Sequence, residues 1–179
     1  MPTRCNKAII QSVLRQTMTE KEFNNCVDSC SDGLYRFLVK NLKDRDTAKN
    51  IVQSAFEKMW MKRTEVQSEK ARSYLFTTGY RLMVDEWRYQ QRFSGLDAAA
   101  DHYAEEVYAE RNDVKRLVDR AAEALVPEQK AVLTLRDFEG YTYEEIAEIT
   151  GLNMAQVKVY LFRARTHIKK FIGSREEVL

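Results

Sequence analysis

The chain has 179 residues, 44% of them hydrophobic and 31% charged, with six Gly, two Pro and a formal net charge of +2. That length allows one or two domains, and that composition excludes a disordered or collagen-like chain. No apolar run approaches the roughly 18 residues of a membrane span, and the N-terminal residues lack the continuous apolar core of a secretory signal, so a cytoplasmic protein without direct membrane insertion is expected.

The small net charge hides a partition. Residues 1–92 carry 17 Lys and Arg against 11 Asp and Glu, and residues 93–112 carry 1 against 5. Residues 113–179 carry 11 of each, with the acids crowded into 137–148 and the bases into 158–170. Two basic surfaces flanking an acidic connector point to nucleic acid as a partner. Cys5, Cys26 and Cys30 form no CxxC pair. Cys26 and Cys30 lie one helical turn apart, and free thiols are expected for both.

Residues 1–17 read as an N-terminal extension with a short stripe of Ile9, Ile10, Val13 and Leu14. Thr19 to Glu22 then forms a capping box. It starts a helix that runs to about Leu42 with Phe23, Val27, Leu34, Phe37 and Leu38 inward, and that Gly33 and the Asp28–Asp32 stretch are placed to interrupt. The next helix has the cleanest periodicity in the chain: Ala48, Ile51, Val52, Ala55, Phe56, Met59 and Trp60 recur at intervals of three and four. Its opposite face shows Asp46, Lys49, Asn50, Gln53, Glu57 and Lys58, a pattern common to solvated surfaces and to binding faces.

A third helix spans Glu69–Arg92 and is apolar on two sides, through Leu75, Thr78, Gly79, Leu82 and Met83 and through Phe76, Tyr80, Val84 and Trp87. Gly79 costs about 1 kcal/mol relative to Ala inside a helix, which predicts close packing there. The end, W-R-Y-Q-Q-R-F, interleaves aromatics with Arg88 and Arg92. This suits stacking and phosphate contact on a single strand, and equally a helix end whose cations answer its own dipole. Residues 93–112 are acidic and Ala-rich, and read as a linker containing a domain boundary.

The second domain, 113–179, starts with a stripe of Val114, Leu117, Val118, Ala121 and Leu125. Pro127 opens the following helix in its first turn, and Ala131, Val132, Leu135 and Phe138 form its inner side. Thr142 and Glu145 cap a third helix, Gly151 stops it, and Asn153 with Gln156 caps a fourth. In that fourth helix Val157, Leu161, Ala164, Ile168 and Phe171 make one buried stripe, while Lys158, Arg163, Arg165, Lys169 and Lys170 occupy the rest. A short capped helix, a glycine turn and a longer basic helix form a helix-turn-helix suited to the DNA major groove; an αα-hairpin with a solvated basic face has the same pattern. The fold class expected is all-α: two small helical domains joined by a linker, the C-terminal one a four-helix helix-turn-helix domain. His102 and His167 have no second His or Cys at ligand spacing, and no Gly-rich phosphate loop or nucleophile constellation is present. Neither an enzyme nor a cofactor is expected.

The order of these segments resembles the extracytoplasmic-function (ECF) class of sigma-70 family RNA polymerase sigma factors. D-T-A-K-N-I-V-Q-S-A-F-E-K-M-W looks like the family's polymerase-docking helix, and S-Y-L-F-T-T-G-Y-R-L-M-V-D-E-W-R its helix for promoter −10 recognition and strand opening. The stretch from Ala124 to Arg165 resembles the −35-binding domain. Departures occur at Ser54 after Gln53, at Gly79-Tyr80-Arg81 and Leu82 in the −10 helix, and at Val159-Tyr160 in the recognition helix.

The resemblance implies a region 2 domain over 18–92, an acidic linker over 93–112 and a region 4 domain over 113–179. It implies polymerase contact through Asp46, Lys49, Asn50, Gln53 and Glu57, and −10 contact through Arg72, Arg81, Asp85, Trp87, Arg88, Gln91 and Arg92. The −35 contacts fall to Asn153, Gln156, Lys158, Val159, Phe162, Arg163, Arg165 and Lys169. The partners implied are core RNA polymerase, promoter DNA and an anti-sigma factor, often one in the inner membrane, with no small-molecule substrate. The alternative expectation is a stand-alone dimeric helix-turn-helix regulator.

Overall fold

The computed structural model describes residues 18–93 and 113–176. The extension at 1–17 and nearly all of the acidic connector lie outside the described residues. Among the described residues seven helices carry the fold: α1 Glu20–Leu42, α2 Arg45–Met61, α3 Ala71–Phe93, α4 Asp113–Glu123, α5 Pro127–Leu133, α6 Tyr143–Thr150 and α7 Met154–Glu176. A 3-10 turn, Ser68–Lys70, leads into α3, and a π-helical turn, Thr134–Phe138, extends α5. Among the described residues there is no strand, as the all-α expectation requires.

The predicted capping box starts α1. Glu22 N donates to Thr19 Oγ1 at 3.3 Å and Thr19 N donates to Glu22 Oε2 at 2.8 Å. The helix then runs through Gly33 and the Asp28–Asp32 stretch without the expected interruption, because Gly33 and its neighbours Cys30 and Leu34 are buried and held by packing. It stops at Lys43, which takes the left-handed conformation with φ 61°. Asp44 caps α2 by accepting from Asp46 N and Thr47 N at 2.9 and 3.1 Å.

Leu34, Phe37 and Leu38 of α1, Ala48, Ala55 and Met59 of α2, and Leu75, Phe76 and Met83 of α3 make the first core. Each fully buried Leu, Phe or Met side chain contributes about 1.5–3 kcal/mol. Gly79 meets its predicted constraint: a Cβ there would lie 2.7 Å from Leu34 Cδ1, so α3 crosses α1 where no side chain fits.

In the second half, Ala131, Val132, Leu133 and Leu135 pack with Ile146 and Ile149 of α6 and with Val157, Leu161 and Ala164 of α7. Phe138 departs from the inward position expected of it and is 44% exposed. The π-turn is the reason. Its wider ring, closed by Glu139 N donating to Thr134 O at 3.2 Å, rotates the following side chains off the helical stripe. The ring of Phe138 instead carries the Lys40 ammonium 4.0 Å from its centroid.

The two halves pack on one another, α3 against α6 and α1 against α5 and the π-turn. Tyr141 is 3% exposed and sits 5.0 Å from Phe76, centroid to centroid. Arg72 Nε donates to Tyr141 Oη at 2.9 Å, and Arg72 Nη2 donates to the Glu139 carbonyl at 3.1 Å. Three ion pairs join bases of the first half to acids of the second: Arg36–Glu139 at 3.5 Å, Lys40–Asp119 at 3.2 Å and Lys43–Glu123 at 3.2 Å. The last two are solvent-exposed and contribute at most about 1 kcal/mol each. The Tyr141–Phe76 contact, dry and aromatic, is the stronger part of the seam.

Candidate nucleic-acid and polymerase interfaces

Helix α7 is presented by local capping and by the packing of one face. Thr142 N donates to Glu145 Oε2 at 2.7 Å and Glu145 N donates to Thr142 Oγ1 at 3.2 Å, which fixes the start of α6. Gly151, at φ 74°, ends it with its N–H donating to the Ala147 carbonyl. Asn153 and Gln156 then repeat the reciprocal arrangement, with Gln156 N to Asn153 Oδ1 and Asn153 N to Gln156 Oε1 both at 2.9 Å. The buried stripe of α7, Val157, Leu161 and Ala164, locks the helix onto α5 and α6. Its other side faces outward with Lys158, Val159, Phe162 and Arg163 close together, followed by Lys169 and Lys170. Phe162 is 71% exposed and Val159 43%. An aromatic and an aliphatic side chain held out among cations can meet thymine methyl groups while the cations meet phosphates.

Three of the residues expected on this face have partners within the protein. The Asn153 and Gln156 side chains are engaged as caps, though both stay exposed. Arg165 bonds Asp137 across to the π-turn, its Nε donating to Oδ2 at 3.2 Å, and that hydrogen bond raises its pKa further. Arg165 therefore braces α7 against the helix before the motif.

Helix α3 differs. Arg81, Asp85 and Arg88 are exposed and lie along one side, with Arg88 Nη1 3.8 Å from Asp85 Oδ1. Gln91 and Arg92 are exposed at its end, where Arg92 Nε donates to the Arg88 carbonyl at 3.3 Å. Trp87 is half-buried against the core, so only part of its ring is available for stacking. Arg72, at the other end, is committed to Tyr141 and Glu139 across the seam. The structure thus gathers Arg81 to Arg92 and separates Arg72 from them. Tyr89, 54% exposed beside Arg88, belongs to the same surface. Its place in the aromatic-basic run W-R-Y-Q-Q-R-F is the sequence signal for it.

On α2, Asp46, Lys49, Asn50, Gln53 and Glu57 are all exposed on one face, opposite Ala48, Ala55 and Met59. Lys49 pairs with Asp46 at 3.5 Å and Gln53 Nε2 donates to Glu57 Oε1 at 2.9 Å. Such exposed pairs are weak and leave the face open to exchange partners with another protein. The periodicity missed Met61, 77% exposed at the end of α2 next to the 37% exposed Trp60. No cluster of metal-ligating residues is found among the described residues.

Comparison with known proteins identifies the family. Residues 26–93 match the family model for sigma-70 region 2, and residues 115–168 match that for sigma-70 region 4. RNA polymerase sigma factor SigV of Bacillus subtilis is 30% identical over 142 residues, covering 78% of this chain and 84% of the relative. ECF RNA polymerase sigma factor SigK of Mycolicibacterium vanbaalenii is 23% identical over 179 residues, covering 93% and 90%. The fold is that of the sigma factor RpoE of Bartonella quintana, solved in complex with the anti-sigma factor NepR, at a TM-score of 0.72 and 21% identity over 86% of this chain and 98% of that one. Matches to both halves, in this order, favour a sigma factor over the stand-alone dimeric regulator. The chain belongs to the ECF group of the sigma-70 family and is a non-enzymatic, promoter-directing transcription initiation factor.

Proposed function

We propose that residues 113–179 form a region 4 domain that anchors the upstream, −35 edge of a promoter through α7, while residues 18–92 form a region 2 domain that docks on core polymerase and holds the opened −10 strand. One observation carries the reading: the outward cluster of Lys158, Val159, Phe162 and Arg163 on a helix whose ends and inner face are fixed by capping and packing. Lys158, Val159 and Phe162 reach base edges, Arg163 and Lys169 hold phosphates, Arg165 positions the helix, and Asn153 and Gln156 set its entry into the groove. Arg81, Asp85, Trp87, Arg88, Gln91 and Arg92 face the −10 strand, and Arg72 joins them only when the seam opens. Asp46, Lys49, Asn50, Gln53 and Glu57 face the polymerase, and 93–112 link the domains.

We further place the factor in the cytoplasm, held inactive by an anti-sigma factor, at the inner membrane if that partner is anchored there. No described helix is long and apolar enough to cross a membrane, and the structural neighbour is a sigma factor bound by such an inhibitor.

The test is run-off transcription with purified core polymerase on a matched promoter, combined with duplex binding at several salt concentrations. Arg163→Ala should weaken binding to all sequences and lower the salt slope by about one unit. Absence of any specific transcript with core polymerase would refute the assignment.

A further inference from the structure

The seam between the two halves contains a feature that promoter recognition does not use. Cys26 and Cys30 project from the same side of α1 with their sulfurs 3.8 Å apart, Cys26 donating its S–H to Cys30. Each is 7% exposed. Both line a groove of about 700 Å³ whose walls include Gly33, Arg36 and Arg72 from the first half and Glu139 from the second. That groove borders both cysteines and offers a small oxidant a route to them. We propose that Cys26 and Cys30 are a peroxide-oxidised dithiol whose closure to a disulfide unseats the second half from the first.

The chemistry balances with a peroxide as the only co-reactant. The Cys30 thiolate attacks one peroxide oxygen, the O–O bond breaks, and hydroxide or an alkoxide leaves to take up the thiol proton. Cys26 sulfur then attacks the sulfenic sulfur, an S–S bond forms, and the sulfenic oxygen departs as water with the Cys26 proton. Two electrons pass from the thiols to the peroxide. Cys30 is the better first nucleophile: the Cys26 S–H bond, the Ser29 hydroxyl 3.5 Å away and the Arg72 charge draw its thiol pKa down, against burial. The same hydrogen bond, aided by burial, pushes the Cys26 thiol up.

The mechanical consequence follows from helix geometry. Residues four apart in a helix hold their Cβ atoms about 5–6 Å apart, whereas a disulfide requires about 3.5–4.5 Å. Closure must therefore distort the Cys26–Cys30 turn. Gly33 lies one residue short of the next turn, and a Cβ at that position would sit 2.8 Å from Glu139 Oε2. The Glu139 carboxylate thus rests on bare backbone, 5% exposed, with Arg36 as its ion-pair partner. Moving that backbone displaces Glu139, and with it the neighbouring Arg72 and Tyr141 bonds. This inference rests on the packing of the halves and stands independently of which bases α7 reads.

The experiment treats the full chain, in wild-type and Cys5→Ser forms, with hydrogen peroxide. Peptide mass mapping reads the bond, and small-angle scattering reads the separation of the halves. The expected result is a Cys26–Cys30 linkage with loss of about 2 Da and a larger radius of gyration, both reversed by dithiothreitol. The Cys30→Ser chain should show neither. Cys26 and Cys30 remaining reduced, a disulfide with unchanged dimensions, or equal expansion of Cys30→Ser would each overturn the proposal. Reversal by dithiothreitol needs no variant, so a misfolded substitution leaves the test intact.

Discussion

Helices α3 and α7 are both 23 residues long and both carry exposed cations, yet they are held in opposite ways. Helix α7 buries one stripe, is capped by its own residues, and leaves a continuous outer face of Lys158, Val159, Phe162 and Arg163. Helix α3 is packed by α1 and α2 and also by α6 of the other half, and its Arg72 is spent on that contact. The difference fits the two tasks proposed for these helices. Duplex DNA presents its edges in a groove that a rigid helix can enter unchanged. An unstacked strand needs a surface completed around it, and in the proposed reading Arg72 joins that surface only when the halves separate.

The separation has a geometric basis. The −35 and −10 elements lie about 25 base pairs apart by their names, which at about 3.4 Å per pair is roughly 85 Å. A compact chain of this length has a radius of gyration of about 16 Å. One closed molecule cannot touch both elements, so the proposed contacts require the arrangement with Tyr141 against Phe76 to open.

The sharpest way to break the comparison uses adjacent residues of α7. Leu161→Ala, at a position 2% exposed, should cost about 2–5 kcal/mol in denaturant unfolding. Phe162→Ala, 71% exposed, should leave unfolding within about 0.5 kcal/mol and still weaken promoter binding. A matching loss of stability in both would mean that α7 has no free outer face.

Next in size is the seam. Tyr141→Phe removes the acceptor of the Arg72 hydrogen bond while keeping the ring against Phe76, and should weaken closure by about 1.5–3 kcal/mol, as expected for a bond to a charged group. The chain should then scatter as a more extended particle. An unchanged scattering profile would place the closing energy elsewhere. Smallest is the cap. Thr142→Ala should cost about 1 kcal/mol in thermal or urea unfolding, confined to the second half as read by hydrogen exchange.

Much of this was legible in residue order. The capping boxes at Thr19 and Thr142, the stop at Gly151 and the α2 stripe are local, and local chemistry wrote them into the sequence. Gly79 was legible as a close approach, though the partner Leu34 was not, because it lies 45 positions away in the chain. The uninterrupted α1 and the outward Phe138 were hidden for two physical reasons: packing held a glycine in a helix, and a π-turn shifted a stripe. The bonds of Arg72 to Tyr141 and Arg165 to Asp137 were hidden because charge counts cannot say which acid a base will face. Both arginines read as DNA contacts from sequence, and both are tied to protein groups in the closed form.

The most direct test of the account is transcription by the reconstituted holoenzyme from a promoter library randomised separately in the −35 and −10 elements. The account predicts that Val159→Ala and Phe162→Ala relax preference in the −35 element alone, with −10 preference unchanged. A shift confined to the −10 element, or preferences identical to the wild type, would contradict it.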